Sequence, residues 1–260
     1  MSDIPPPPPP PPPLPPQGPL GPPPGYVGAG AVSPFQRIAG LTKWLRYLII
    51  ASVVLSAVTL VVQLCVRDRA QDFVDGIISL DDFEDRLGPF LLVGLVTGAI
   101  SIAQLVVLCV WTFRLARNMQ KLGRQGQSLS QPGVTVAINI LGGCTLGILN
   151  FFMWREIWKG SDPECPSGDP TWKQRAVDGI VAVWLALTLG AALASTGIGI
   201  GQTLTGGIDT GGNTIDIAEQ LTDDFAFSAL SGLLTMGAAF AFFVLVTRLA
   251  GRHMQATAEA

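Results

Sequence analysis

Side chains that could do chemistry are few in this chain, and they are scattered. The only histidine, His253, stands beside Arg252 near the C-terminus with no sequence partner for nucleophilic or metal chemistry, and it reads as a solvated tail residue. Cys65, Cys109, Cys144 and Cys165 form no C-x-x-C pair and have no histidine nearby, so neither a metal site, a cofactor motif nor a disulfide framework is expected. Arg114, Arg117, Lys121 and Arg124 recur on one helical face, with Leu115, Met119 and Leu122 on another. Such a stripe either grips anionic lipid headgroups, at about 1 kcal/mol per cation, or simply sets topology. Arg46 and Asp178 sit near segment ends, and otherwise only Gln63, Gln104, Asn139 and Asn150 carry strongly polar side chains within the apolar stretches. The two asparagines either satisfy the freed backbone of a broken helix or line a path or ligand site. Proton relays and intramembrane proteases place ionisable groups deep in the membrane, and none lies deep here, so an enzyme is not expected.

The elements that must position these residues are membrane helices. Of 260 residues only 13% are charged and 48% are apolar, with a mean hydropathy of +0.45. A chain so poor in charge cannot cover a soluble surface of its own. Five apolar segments, at 44–66, 89–113, 133–154, 176–200 and 225–247, are each about long enough to cross a hydrocarbon layer of roughly 30 Å. Period-two alternation is missing, which argues against a membrane β-barrel and for an all-α polytopic membrane protein. The net charge of -3 and pI near 5.1 give no reason to expect a nucleic-acid partner. The partner that composition implies is the lipid bilayer.

The third segment differs in kind. It opens with Pro132 and Gly133, carries Gly142, Gly143 and Gly147, and holds both asparagines. Basic residues are retained on the cytoplasmic side, which makes charge placement a test of topology. If all five segments cross, the sixteen Lys and Arg divide seven to nine, with no bias. If the third dips in and returns, thirteen share the side of both termini and only three lie opposite, beside twelve of the nineteen acids. The expectation is therefore four transmembrane helices (44–66, 89–113, 176–200, 225–247) and a re-entrant or interfacial helical hairpin (133–154). Both termini are then cytoplasmic, and the alternative is five crossings. Gly142 and Gly143 are expected to make the reversal, and the hairpin is expected to be enclosed by the spanning helices. The pairs Gly94 and Gly98, Gly190 and Ala194, Gly197 and Gly201, and Gly237 and Ala241 would allow close helix approach.

Three domains follow: a disordered proline-rich cytoplasmic tail (1–36), a transmembrane helical domain (37–250) and a short cytoplasmic tail (251–260). Sixteen of the 21 prolines fall in the first, nine of them consecutive from Pro5 to Pro13, which favours a polyproline II rod and not a signal peptide. This tail is a stiff tether or, through Pro23, Pro24, Gly25 and Tyr26 as a PPxY element, a ligand for a proline-recognising cytoplasmic protein. Residues 67–88 hold seven acids and three arginines, with Ser79 and Asp82 placed as a capping box for a short helix, and read as a small structured cap. Residues 201–224 hold five acids and several glycines and read as a solvated loop.

Trp111, Arg114 and Asn118, followed by Pro132 and Gly133 and then by the run from Trp154 through Arg155, Glu156, Ile157, Trp158, Lys159, Gly160, Ser161, Asp162 and Pro163, resemble the domain of unknown function 4328 family. The resemblance covers about residues 44–250. It implies an actinobacterial cell-membrane protein with a proline-rich N-terminal tail, and it supplies no mechanism. Relatives tend to carry tryptophan after the Pro-Gly and prolines mid-segment, where Val134, Gly142, Gly143 and Asn150 stand here. Two functional readings result: a non-enzymatic membrane module or scaffold recruiting partners through its tail, and a channel or transport-like protein using the re-entrant hairpin.

Overall fold

The computed structural model describes residues 35–205, 222 and 225–259, with the side chains of 84–87, 89–91 and 196–205 set aside. The proline-rich segment to Pro34, its PPxY element and most of the acidic 201–224 stretch lie outside the described residues. Six helices are described: α1 (Ala39–Val74), α2 (Leu80–Lys121), α3 (Pro132–Leu141), α4 (Ile148–Gly160), α5 (Ile180–Thr205) and α6 (Phe225–Ala256). No strand occurs among the described residues. By length and composition α1, the Leu92–Lys121 part of α2, and α6 are each sufficient to cross a membrane. The 26 residues of α5 carry no charge. The chain is an all-α polytopic membrane protein.

Apolar side chains drive the packing. α1 lies against α2 and α6, α6 against α5, α3 against α2, and α4 against α5. An aromatic series links four of them. Trp154 on α4 lies 6.1 Å from Trp111 on α2 and 5.7 Å from Phe242 on α6, which is 6.0 Å from Trp184 on α5. Small residues act where a leucine meets them. Gly190 receives Leu234 and Gly237 receives Leu187 across the α5–α6 contact, whereas a Cβ at Gly94 or Gly98 would meet nothing within 4 Å. The Gly197 and Gly201 pair falls among the side chains set aside.

The acidic 67–88 stretch forms no separate short helix. Its residues extend α1 and α2 outward, and the two helices meet through Phe73 stacked at 4.9 Å on Phe83, with Val66 and Ala70 buried beside them. Ser79 does start α2: the Asp82 amide donates to Ser79 Oγ at 3.3 Å, and the hydroxyl donates to the Asp82 carboxylate at 2.7 Å.

The third apolar segment is a hairpin. α3 has 10 residues and α4 has 13, about 15 and 20 Å of helix, so neither half is as long as the hydrocarbon layer. A 3-10 turn, Gly142–Thr145, joins them. Sequence reasoning assigned the reversal to Gly142 and Gly143, but Gly142 is right-handed, at φ -55. The turn is made by two successive left-handed residues, Leu146 (φ 50) and Gly147 (φ 79). Gly147 also brings the backbone against Thr188 and Trp184 of α5. Gly142 is needed for approach, because a Cβ there would collide with the Asn150 amide.

The expectation of an enclosed hairpin is corrected as well. Met153, Trp154 and Ile157 face the core, while Ile140, Leu141, Leu146, Ile148, Leu149 and Phe152 are exposed. The interruption can lie at the bundle's side because it satisfies its own backbone. The amides of Leu146 and Gly147 donate to the carbonyls of Gly143 and Gly142 at 3.3 and 3.1 Å.

Candidate functional site

The polar residues converge on one end of the bundle, where the chain enters α1, leaves α2, begins α3, ends α4, enters α5 and leaves α6. Here Asn118 of α2 is the hub. The Gln36 amide can only donate, so at 2.8 Å it fixes Asn118 Oδ1 as the acceptor. Asn118 Nδ2 then donates to the Gln36 carbonyl at 2.9 Å and to His253 Nε2 at 3.2 Å. Because Nε2 accepts, the ring is neutral and its proton sits on Nδ1, which donates to Ser161 Oγ at 2.9 Å. A serine beside a histidine invites a hydrolase reading, but the polarity here is reversed: the ring gives Ser161 a proton and offers it no base. Both side chains are fully buried. The expectation of a solvated His253 is thus overturned, because Asn118 of α2 and Ser161 at the end of α4 engage both ring nitrogens of this buried α6 residue.

The segment after α6 joins the same cap. The Glu259 carboxylate accepts from the Ile38 amide at 2.9 Å and the Ala39 amide at 3.1 Å, capping α1, whose own N-cap residue Ile38 has no side-chain acceptor. Residues 251–259 are therefore part of the fold and not a tail: α6 continues to Ala256 and Glu259 folds back on α1. Phe35 and Gln36 likewise belong to the domain, not to the proline-rich segment.

Of the four cations assigned to headgroups, the structure separates one. Arg124 is 2% exposed and its guanidinium serves the loop after α4, donating to the carbonyls of Gly160, Asp162, Cys165 and Pro166 and to Cys165 Sγ. It cannot reach a headgroup. Arg114 donates to the Arg37 carbonyl at 2.7 Å, Lys121 is half-buried, and Arg117 is exposed beside the Phe113 ring. Burial pushes the Cys165 thiol up, and Arg124 opposes this.

The asparagines do meet, but not to serve backbone. Asn150 Nδ2 donates to Asn139 Oδ1 at 3.3 Å, and Asn139 Nδ2 donates to Thr112 Oγ1 on α2 at 2.8 Å. Asn150 Oδ1 has no hydrogen-bond partner among the described residues. This chain pins the hairpin to α2 near its turn. Asn139→Leu alone is expected to cost about 1–3 kcal/mol, because the Asn150 amide loses its acceptor. Asn139→Leu with Asn150→Leu is expected to cost less than the two single changes together, since no buried amide stays unpaired. Thermal melting of the three variants checks this, and strictly additive losses would contradict the pairing.

At the hairpin's foot Glu156 closes the loop that precedes α3. Its carboxylate accepts from the Ser128, Leu129 and Ser130 amides at 2.7, 2.8 and 3.1 Å and from Ser128 Oγ at 3.1 Å. The end of α4 thus returns to the start of α3. The remaining motif residues cluster nearby. Asp162 pairs with Arg252 at 3.2 Å and Arg175 at 3.7 Å, Arg252 lies 5.0 Å over Trp158, and Trp111 donates to Thr42 at 2.9 Å. Arg155 lies 5.4 Å over Phe151, and Pro163 is exposed in the loop that follows.

Sequence reasoning missed the 161–179 connection as structure. Trp172 is buried and donates to the Gln125 carbonyl at 3.0 Å, and the Gly168 amide donates to the Leu122 carbonyl at 3.0 Å. A tryptophan in a Pro-Gly-Asp-rich stretch was the available signal. Asp169 and Asp178 hold their carboxyls below the usual range: Asp169 through the Thr171 amide and hydroxyl, Asp178 through the Ile180 amide and then Arg248.

No family model, curated protein or solved structure matches this chain. The class defined by fold and cap, an all-α multi-pass membrane protein with a split third segment, therefore rests on its own geometry.

Proposed function

We propose that this protein is a non-enzymatic membrane module with four crossings, and that its proline-rich segment recruits a proline-recognising cytoplasmic protein to the cell membrane. One observation carries the orientation. Every basic residue except Arg67, Arg69 and Arg86 belongs to a segment gathered at the end that holds the Asn118–His253 cap. A thirteen-to-three division favours that end as cytoplasmic. The scaffold reading is supported over a conducting path because Asn139 and Asn150 are engaged with each other and with Thr112. Membership of the domain of unknown function 4328 family is part of the same proposal. It rests on the motif residues alone, Trp111, Arg114, Asn118, Arg155, Glu156, Trp158, Asp162 and Pro163.

Crosslinking and pull-down from cells expressing the full chain or its Tyr26→Ala variant tests the recruitment. A protein carrying a proline-recognition domain should be captured by the first and lost with the second. Identical captures from both chains would remove the recruiting role.

A further inference from the structure

One face of α4 changes from apolar to cationic as it descends to the cap. Ile148 and Phe152 are exposed, Phe152 to 45%, and Arg155 and Lys159 follow at one-turn spacing on the same side. Lys173, from the 3-10 turn Pro170–Gln174, lies across from them over a groove of about 260 Å³ that Leu129 and Trp172 also line. The one acid in the groove, Glu156, is occupied by the amides before α3. Lys159 and Lys173 each give a proton to a carbonyl, of Lys173 and Gly126 respectively, which leaves further ammonium donors on both. Arg155 stacks on Phe151 and has no carboxylate within ion-pairing distance among the described residues.

We propose that this groove binds the phosphate of an anionic phospholipid, with an acyl chain running up α4 along Phe152 and Ile148. Three cations around one engaged carboxylate select a phosphoryl oxygen, and a guanidinium presents the fork that matches it. A free phosphate would use the same donors. The exposed apolar strip continuous with them is what favours a lipid as the source. The site rests on the membrane reading of the fold and is independent of any role for the proline-rich segment.

Native mass spectrometry of the full chain in neutral detergent, titrated with phosphatidylglycerol, phosphatidylcholine or inorganic phosphate, tests it. One phosphatidylglycerol should be retained in preference to phosphatidylcholine. Arg155→Gln should weaken that retention about fivefold, whereas Lys43→Gln, an exposed cation outside the groove, should not change it. Phe152→Gln keeps every charge and should weaken phosphatidylglycerol while leaving phosphate unaffected. Equal retention of the two lipids overturns the proposal, as does a Lys43→Gln loss matching that of Arg155→Gln. Displacement of the lipid by millimolar phosphate, with Phe152→Gln without effect, assigns the groove to the free anion instead. If Arg155→Gln does not melt like the parent protein, Phe152→Gln decides alone, and unchanged phosphatidylglycerol retention in that variant overturns the proposal.

Discussion

Replacing Arg124 with methionine is expected to lower folding stability by about 3–5 kcal/mol, the largest loss from any single substitution at the cap. Methionine keeps the apolar stem and removes the fork. The carbonyls of Gly160, Asp162, Cys165 and Pro166, which accept at 3.1, 3.4, 2.7 and 2.6 Å, then lose a common donor. A buried acceptor without a partner costs its full desolvation, and that falls on the Gly160 and Cys165 carbonyls, since those of Asp162 and Pro166 also accept from the Cys165 and Asp169 amides at 3.3 Å. The apparent melting temperature in detergent should fall by roughly 10 °C. Arg124→Lys should recover only part of this, because an ammonium cannot span the fork's geometry. A melting temperature unchanged in Arg124→Met would mean that the loop after α4 holds itself together without the guanidinium.

Glu156→Ala is expected to release the foot of the hairpin at a cost of about 2–3 kcal/mol. The carboxylate accepts four hydrogen bonds from Ser128, Leu129 and Ser130, and the N-cap of α3, Gln131, offers no side-chain substitute. Glu156→Gln should be nearly as damaging, since its NH₂ would face amides that also donate. The effect is local. Hydrogen exchange at the 128–130 amides should accelerate by roughly thirtyfold while the α1–α6 contact keeps its protection. Exchange rising equally throughout the protein would show that Glu156 acts on global stability and not on the return of α4.

Much of the architecture was legible because its signals are compositional or local. Uncharged stretches gave the long helices, Ser79 with Asp82 gave the α2 start, and glycine content with charge placement gave a broken third segment that comes back. Finer geometry was not legible, because it depends on residues that meet only after folding. Nothing near Gly142 in sequence shows that its missing Cβ makes room for Asn150, and of the three glycines only Gly147 takes the left-handed conformation, together with Leu146, whose side chain gives no such signal. Arg124 reads as one more cation on a helical face until the loop after α4 folds over it. His253 reads as a tail residue for a similar reason: its partners, Asn118 and Ser161, lie 135 and 92 positions away.

Sidedness of cysteine labelling tests the returning hairpin most directly. In a background lacking Cys65, Cys109 and Cys144 and keeping the buried Cys165, single cysteines are placed at Asp75, Ser128 and Glu164, all exposed. An impermeant reagent is applied to intact and then to opened cells. Ser128→Cys and Glu164→Cys should share one labelling pattern, with Asp75→Cys showing the opposite one. If Glu164→Cys instead labels with Asp75→Cys while Ser128→Cys does not, the segment between them crosses the membrane and the four-crossing topology is wrong.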